Sequence, residues 1–489
     1  MARYAYERLS EEDNVFLLAE GPNTPMHVSA IQIFEGGPLG TPDGGIDIAA
    51  IRDAYRRVLH EVPRYRQKLA WIPLTGRAVW VDDPHFDLDY HIRHVALPRP
   101  GKLADLKRVA GRVMAHALDR HHPLWELWVV EGMEDGRFAM IAKTHHCMID
   151  GASGVQLAYK LLAPTPEIRL PEPPPYVPQP APSDAELLRD EVLHRMTLPL
   201  RMARGIRQLR DEVGDLGEEL RTRARAAADL LGLAFSRASE TPLNGPLSPH
   251  RGFDWCEMPL ADLKAVRRRL DCTINDVVLA TVTNALRQFL QGRGVRPDEM
   301  HFRVSTPVSV RSESDRERPG NRVSSWIVEL PIDEPDPLHQ VERVREETRA
   351  LKEGRQAHSI DMLMSAAELA PSGFLSLGAR LASGPINAVV TNVPGPQLPL
   401  YLLGAQMEAI IPQVPLIEGV GLGIALISYA GRIFWGFTAD AELVPDLAAL
   451  VEHIDASFAA LASAAGVERG AASPAPVPPA PARAVNADA

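Results

Sequence analysis

The sequence predicts an α/β fold built in two halves, and three observations carry that prediction. Its 489 residues exceed what one ordinary hydrophobic core organises, and 45% apolar residues are enough to fill two. Segments with helical and strand-like spacing alternate both early and late in the chain. Between them, PTPEIRLPEPPPYVPQPAP from Pro164 to Pro182 cannot sustain regular structure and marks a boundary.

Taken in order, residues 1–165 form the first half, with a helix over Ile51–His60 and a strand over Phe138–His146 (FAMIAKTHH). A helix over Val155–Leu162 follows, begun near Ser153. Residues 166–240 hold the Pro-rich linker and a helical connector, where Leu209, Val213, Leu216 and Leu220 recur every three or four positions. Residues 241–465 form the second half, with a helix in NDVVLATVTNALRQFL from Asn275, strands over Phe302–Val310 and Val323–Leu330, and a helix over Leu338–Leu351. The apolar run Ile410–Phe437 is broken by Pro412, Pro415, Glu418 and Arg432, which suits buried strands and not a membrane span. Residues 466–489 make an Ala- and Pro-rich tail expected to be disordered.

A formal charge of −11 argues against nucleic acid as a partner, because that binding needs a broad basic surface. Cys147, Cys256 and Cys272 cannot build a disulfide framework and suit a reducing interior. MARYAYERLSEEDNVFLLAE lacks the continuous apolar core of a secretory signal, so the expected location is cytoplasmic. In the connector, Arg195, Arg201, Arg204, Arg207 and Arg210 occur with no acid between them, among apolar residues. Two readings stay open: a basic amphipathic surface resting peripherally on the inner membrane face or a lipid droplet, or a helix packed on its own protein with solvated arginines.

The most informative stretch is His145-His146-Cys147-Met148-Ile149-Asp150-Gly151, an HHxxxDG motif on the turn between a predicted strand and a predicted helix. Imidazole titrates near neutrality, so a neutral His146 can take the proton of an alcohol as its oxygen attacks a thioester. That chemistry makes acyl transfer the leading reading, with His146 as general base. Asp150 is too close in sequence to be an independent second catalyst and is read as a brace of the turn, through a distant Arg or backbone amides. Gly151 permits a tight turn. The plainer alternative is a pair of ordinary strand-end histidines followed by a turn aspartate. Cys147 is read as a packed, inert thiol, since neighbouring strand residues point to opposite faces. No third ligand stands at a recognisable spacing from the two histidines, and no metal is expected.

With these residues in hand, the chain resembles the bacterial wax ester synthase/acyl-CoA:diacylglycerol acyltransferases over nearly its whole length. The matching stretches are Leu9-Ser10, Asp13, Phe16-Leu17, Thr24-Pro25-Met26-His27-Val28, Trp80-Val81, Phe86-Asp87-Leu88-Asp89-Tyr90-His91 and Pro123-Leu124-Trp125-Glu126 before the motif. After it come Pro242-Leu243-Asn244-Gly245, Asn275-Asp276-Val277-Val278-Leu279-Ala280, Gly320-Asn321-Arg322-Val323-Ser324 and Thr391-Asn392-Val393-Pro394-Gly395-Pro396. Thr391 stands where the family often has Ser, which keeps the hydroxyl. HHxxxDG alone is shared with peptide-synthetase condensation domains; its combination with the other stretches is far more specific.

The resemblance implies a chloramphenicol-acetyltransferase-like fold of two α/β halves with an active-site channel between them. It implies acyl-CoA as substrate and diacylglycerol or a fatty alcohol as acceptor, giving triacylglycerol or wax ester and free CoA, with no bound cofactor. His146 carries over as base, Asp150 as the residue that holds the motif in shape, and His145 as a motif residue of undetermined role. Asn275 is either an oxyanion donor or orienting group, or a polar residue at a helix start after Thr273; for Asp276 the structural reading is favoured. Pro123, Leu124 and Trp125 shape the channel wall or the packing behind it, and Gly151 and Ala152 either line the channel or make a tight turn. Asn392–Pro396 is expected to be a rigid crossover between the halves. Two rivals remain: a related acyltransferase or condensation enzyme taking carrier-bound donors or polyketide or sugar alcohol acceptors, and a non-catalytic lipid-droplet scaffold.

Overall fold

The computed structural model describes residues 5–148, 160–167, 170–197, 238–309, 323–353 and 386–470. In the first half, β1 (Glu7–Arg8), β2 (His27–Phe34), β3 (Gln67–Trp71), β4 (Ala78–Asp82), β5 (Ile92–Ala96), β6 (Trp125–Glu131), β7 (Phe138–His145) and β8 (Leu162–Ala163) accompany helices at Glu11–Ala19, Ile48–Val58 and Leu103–Ala115. The second half contributes β9 (Arg251–Pro259), β10 (Phe302–Ser309), β11 (Val323–Leu330), β12 (Ala388–Val393), β13 (Tyr401–Leu402), β14 (Ala405–Gln413), β15 (Leu422–Tyr429) and β16 (Arg432–Asp440). Its helices are Leu260–Arg269, Ile274–Gly292, Pro337–Glu353 and Leu447–Ala464.

Local chemistry explains where these elements start. The predicted Ile51–His60 helix begins at Ile48, because Asp47 accepts the Ala50 amide at 2.9 Å, and it buries Ile51, Ala54, Tyr55 and Val58. The Ile274–Gly292 helix opens with a capping box in which the Thr273 hydroxyl accepts from Asp276 N and the Asp276 carboxylate accepts from Thr273 N. Strand β11 matches its predicted limits, and the apolar run Ile410–Phe437 is the end of β14, all of β15 and part of β16. Leu447–Ala464 is long and apolar enough to cross a membrane, but Leu450, Ile454, Phe458 and Leu461 lie buried in the second core.

Among the described residues the strands form a seven-stranded sheet in the order β5-β6-β7-β2-β14-β13-β8, a six-stranded sheet in the order β11-β10-β12-β15-β16-β9, and a small sheet β1-β4-β3. The second half therefore does not keep to its own sheet. β14 pairs antiparallel with β2, from Gln413 opposite Ser29 to Met407 opposite Phe34, with one register shift between Met407 and Ala409. The chain leaves the second sheet at Val393, enters the first at Tyr401, and returns through β15. Asn392–Pro396 is thus the crossover that the sequence suggested. Tyr429 staples it: its hydroxyl donates to Met407 O and accepts from Leu400 N, both at 2.8 Å.

Gly395 sits where no side chain fits, since a Cβ there would lie 2.2 Å from Ser428 O. The neighbour is backbone and cannot swing aside. We predict that Gly395→Ala destabilises the fold by about 1–3 kcal/mol, to be read from urea denaturation; an unchanged midpoint would refute this account of the crossover.

Candidate active site

The site grows from the end of a strand pair. β2 and β7 run antiparallel in unbroken register, His27 opposite His145, and the ladder continues one step further because His146 N donates to Met26 O at 2.8 Å. His146–Met148 then forms a single 3-10 turn. The Cys147 amide donates to His145 Nδ1 at 3.1 Å and closes that turn. By that bond His145 Nδ1 is the acceptor, so the ring proton sits on Nε2.

The helix Glu11–Ala19 supplies the next layer. Ser10 caps it by accepting the Asp13 amide at 3.1 Å, and its Phe16 ring stacks on His146 with centroids 3.7 Å apart and planes 16° from parallel. Just past it, Glu20 Oε1 faces His27 Nε2 and His145 Nε2, each at 3.5 Å, while Oε2 accepts from Arg120 Nη2 at 2.5 Å and Nε at 3.1 Å. The Glu20 side chain is only 8% exposed. Burial alone would raise its carboxyl, but His145, Arg120 and His27 outweigh burial and hold it at about 2.

Glu20, His27 and His145 bring ligand-type atoms within 4.8 Å of one another, close enough to gather a metal ion. The hydrogen bonding opposes that use. Ligation through His145 Nε2 requires that nitrogen to be unprotonated, and the Cys147 amide on Nδ1 enforces the other tautomer. Leu118 N also points at His27 Nε2, at 3.4 Å.

His146 itself is held neutral. Burial lowers it to about 4, opposed by a hydrogen bond to its own backbone and reinforced by the neighbouring His145. The neighbouring Cys147 is buried, and burial pushes its thiol well above the usual value, so a thiolate nucleophile is disfavoured there. Asp150, Gly151 and Ala152 lie outside the described residues, as do most of the expected Val155–Leu162 helix and, of the basic connector, every arginine except Arg195.

A cavity of about 240 Å³ opens on the opposite face of the same strands, lined by Val28, Ala30 and Thr144 near the motif and by Leu162, Leu402 and Ile410 from β8, β13 and β14. Trp125 lines it too, its indole donating to Tyr65 O at 2.8 Å and stacking on His91 with centroids 4.5 Å apart. Leu124 is fully buried, and its carbonyl accepts the His145 amide at 2.9 Å; Pro123 is buried beside it. Asn275 lies half-buried in the first turn of the Ile274–Gly292 helix, where Thr273 and Asp276 do the capping.

Residues 9–278 match the family model described as the wax ester synthase/diacylglycerol acyltransferase catalytic domain, and residues 319–462 match the C-terminal domain of the same family. The chain belongs to the wax ester synthase/diacylglycerol acyltransferase family. Among members of that family, it is 32% identical to a probable diacylglycerol O-acyltransferase of Mycobacterium tuberculosis, over 93% of this chain and 95% of the relative. A second from the same organism is 33% identical, over 93% and 98%. The solved wax ester synthase/diacylglycerol acyltransferase of Marinobacter aquaeolei VT8 superposes with a TM-score of 0.67 at 26% identity, covering 94% of this chain and all of that one. The starter condensation domain of rhizomide synthetase, in a mutant solved with C8-CoA, gives a TM-score of 0.58 at 16% identity over 94% and 95%, which shows a shared fold. The fold is thus the two-half, chloramphenicol-acetyltransferase-like one, and the protein is an O-acyltransferase.

The sequence reading named neither Phe16, Glu20, His27 nor Arg120 as site residues. Phe16 and His27 stand in stretches that carried the family likeness; nothing local marks Glu20 or Arg120, which meet across 100 positions of sequence.

Two predictions follow from the charges. His146 is unprotonated above pH ~4, so the acid limb of kcat/KM is expected near 4 and not near 6.5; a limb at 6.5 in a pH–rate profile contradicts the buried, neutral base. Glu20, depressed to about 2, contributes stability that is present above its unfolded value near 4.5 and lost as pH falls toward 2. Glu20→Gln takes the counter-charge from Arg120, which is partly solvated, and is expected to cost about 1–3 kcal/mol at neutral pH, with a flatter acid-side loss, measured by denaturation at several pH values.

Proposed function

We propose that the protein moves an acyl group from acyl-CoA to the hydroxyl of diacylglycerol or a fatty alcohol, with His146 as general base. The observation that carries this is a neutral imidazole fixed by backbone and by Phe16 at the end of a strand, β7, whose Thr144, Ala142 and Met140 line an apolar cavity, in a chain of this family. The unprotonated ring takes the acceptor proton as the oxygen attacks the thioester carbonyl. A tetrahedral oxyanion forms, the carbon–sulfur bond breaks, and His146 returns the proton to the departing thiolate. An acyl-enzyme is not needed, and the protonated Cys147 offers no competing nucleophile.

Within this reading Asp150 braces the motif, and Asn275 donates its amide to the oxyanion. Trp125, with Pro123 and Leu124 behind it, shapes the wall against which the substrate lies, continued by Gly151 and Ala152. The substrates supply the whole chemistry, without a bound metal or cofactor. The enzyme works in the cytoplasm, meeting its lipid acceptor at a membrane or droplet surface.

Release of CoA thiol from palmitoyl-CoA, with hexadecanol or a diacylglycerol as acceptor, tests the reading. His146→Ala is expected to lose about 10²–10⁴-fold in kcat, and Asn275→Ala about 10²–10³-fold, both with unchanged thermal denaturation. Acceptor-dependent release that survives His146→Ala, or no release with either acceptor, would sink the assignment.

A further inference from the structure

A basic cleft of about 620 Å³ opens where the two halves meet. One wall is the helix Leu103–Ala115 of the first half, and the other is the segment from Pro249 to Phe253 at the start of β9. The two walls touch: a Cβ on Gly111 would lie 2.5 Å from Arg251 O, so only glycine lets the strand come this close to the helix. Lys107, Arg108, Arg112, His116, His250 and Arg251 line the cleft, and among the described residues no aspartate or glutamate does. In a chain of net charge −11 this is a local reversal of sign.

Two of these cations are already committed. Lys107 pairs with Asp254, and Arg251, whose side chain is 4% exposed, pairs with Asp440 at 3.3 Å and donates to Ser248 O and Asn23 O. Arg108 has Asp105 at 2.9 Å, but that pair lies on the surface of one helix, where it contributes little. Among the described residues no carboxylate pairs with Arg112, His116 or His250. Arg108 and Arg112 stand four positions apart, so their side chains share one helix face about 6 Å from each other, and like charges at that spacing oppose the helix. His116, just past the last turn, folds back so that Nδ1 donates to Arg112 O at 2.7 Å. A bound anion turns this repulsion into attraction.

We propose that this cleft binds a phosphomonoester dianion, held by Arg108 and Arg112 from one half and His250 from the other. Guanidinium groups match phosphate oxygens two at a time, and two of them balance a dianion. Two ligands carry that group: the ribose 3′-phosphate of CoA and the headgroup of a phosphatidate. The CoA source rests on the reading of His146 as the acyl-transfer centre. Both walls of the cleft are tied to the layer that supports the active-site turn. His116 O accepts from Lys143 Nζ, three residues before His146, and Asn23, whose carbonyl takes the Arg251 bond, stands four residues before His27. Three strand residues and a lysine side chain put the cleft on the order of 15 Å from His146. A pantetheine arm has roughly thirteen bonds from sulfur to the first phosphorus and reaches about 16 Å at roughly 1.3 Å per bond, so the nucleotide end of CoA lies within reach of the cleft. Phosphopantetheine on a carrier protein ends in a phosphodiester and has no 3′-phosphate. A site for that group therefore selects free CoA thioesters over carrier-borne donors.

The test uses the purified full chain in two binding arms: calorimetric titration with CoA and with 3′-dephospho-CoA, and co-sedimentation with phosphatidylcholine vesicles carrying either phosphatidate or phosphatidylglycerol. The wild type is expected to bind CoA at least about tenfold more tightly than 3′-dephospho-CoA, and Arg112→Ala and His250→Ala, one in each wall, to bring the two within about twofold. Arg112 and His250 are both exposed, and unchanged thermal denaturation confirms that each variant folds. In thiol release, the wild-type preference for palmitoyl-CoA over its 3′-dephospho analogue is expected to vanish in Arg112→Ala. Preference for phosphatidate over phosphatidylglycerol vesicles, lost in Arg112→Ala and unaccompanied by a preference for CoA, keeps the phosphate site and assigns it to a lipid headgroup. Equal affinity for CoA and 3′-dephospho-CoA together with equal binding to both kinds of vesicle overturns the proposal, and so does a preference that survives both variants. If the preference for CoA falls in both variants while no donor releases thiol in any of the proteins, the cleft stands and the acyl-transfer reading falls.

Discussion

The register between β2 and β7 is the constraint on which the rest depends. Strand side chains alternate with a period of two, so a slip of one residue would exchange the faces of the whole strand. In the observed register one face carries His27, His145 and Lys143, and the other carries Val28, Ala30, Ala142 and Thr144. The polar support of the active-site turn and the apolar cavity are therefore two sides of one strand pair. The ladder's last bond, His146 N to Met26 O, places the base at the edge where the two faces meet.

Keeping charge on the polar face is costly, and the structure shows how each group is compensated. Glu20 has Arg120 and the Met26 amide as well as the two histidines. Lys143, 1% exposed, donates to Val113 O at 2.7 Å and to His116 O at the end of the Leu103–Ala115 helix, where carbonyls lack helical partners. Burial nevertheless lowers it to about 8. Such buried ion pairs contribute little net stability compared with packed apolar residues. Their evident consequence is geometric: helix Glu11–Ala19, the Arg120 loop and the strand end are tied to a single carboxylate, and the ring of Phe16 is thereby held against His146.

Much of this was legible in the residues. Periodicity located the strand ending at the histidines, the Asn275 helix and both strands of the β10–β11 pair, because each is long and consistently patterned. The family likeness supplied the two-half fold, which no local pattern could. The apolar run Ile410–Phe437 announced burial but not destination: its first strand belongs to the sheet of the other half, since pairing across hundreds of residues leaves no local mark. The Glu20 cluster escaped for the same reason. Its members are ordinary as sequence and become a site only where His27 is brought opposite His145. The cavity was hidden more deeply, since Ala30 and Ala142 read as unremarkable strand residues until the register sets them side by side.

The weak basicity of His146 constrains how the reaction can proceed. A ring held near 4 by burial is a poor acceptor for an alcohol proton if the resulting imidazolium must stand alone in an apolar setting. It need not stand alone, because the tetrahedral oxyanion forms as the proton moves, and two opposite charges a few ångströms apart attract far more strongly in a low-dielectric site than in water. Burial thus penalises the protonated base in the resting enzyme and strengthens the ion pair at the transition state. Proton transfer ahead of carbon–oxygen bond formation would forfeit that pairing, so this site favours a step in which both occur together.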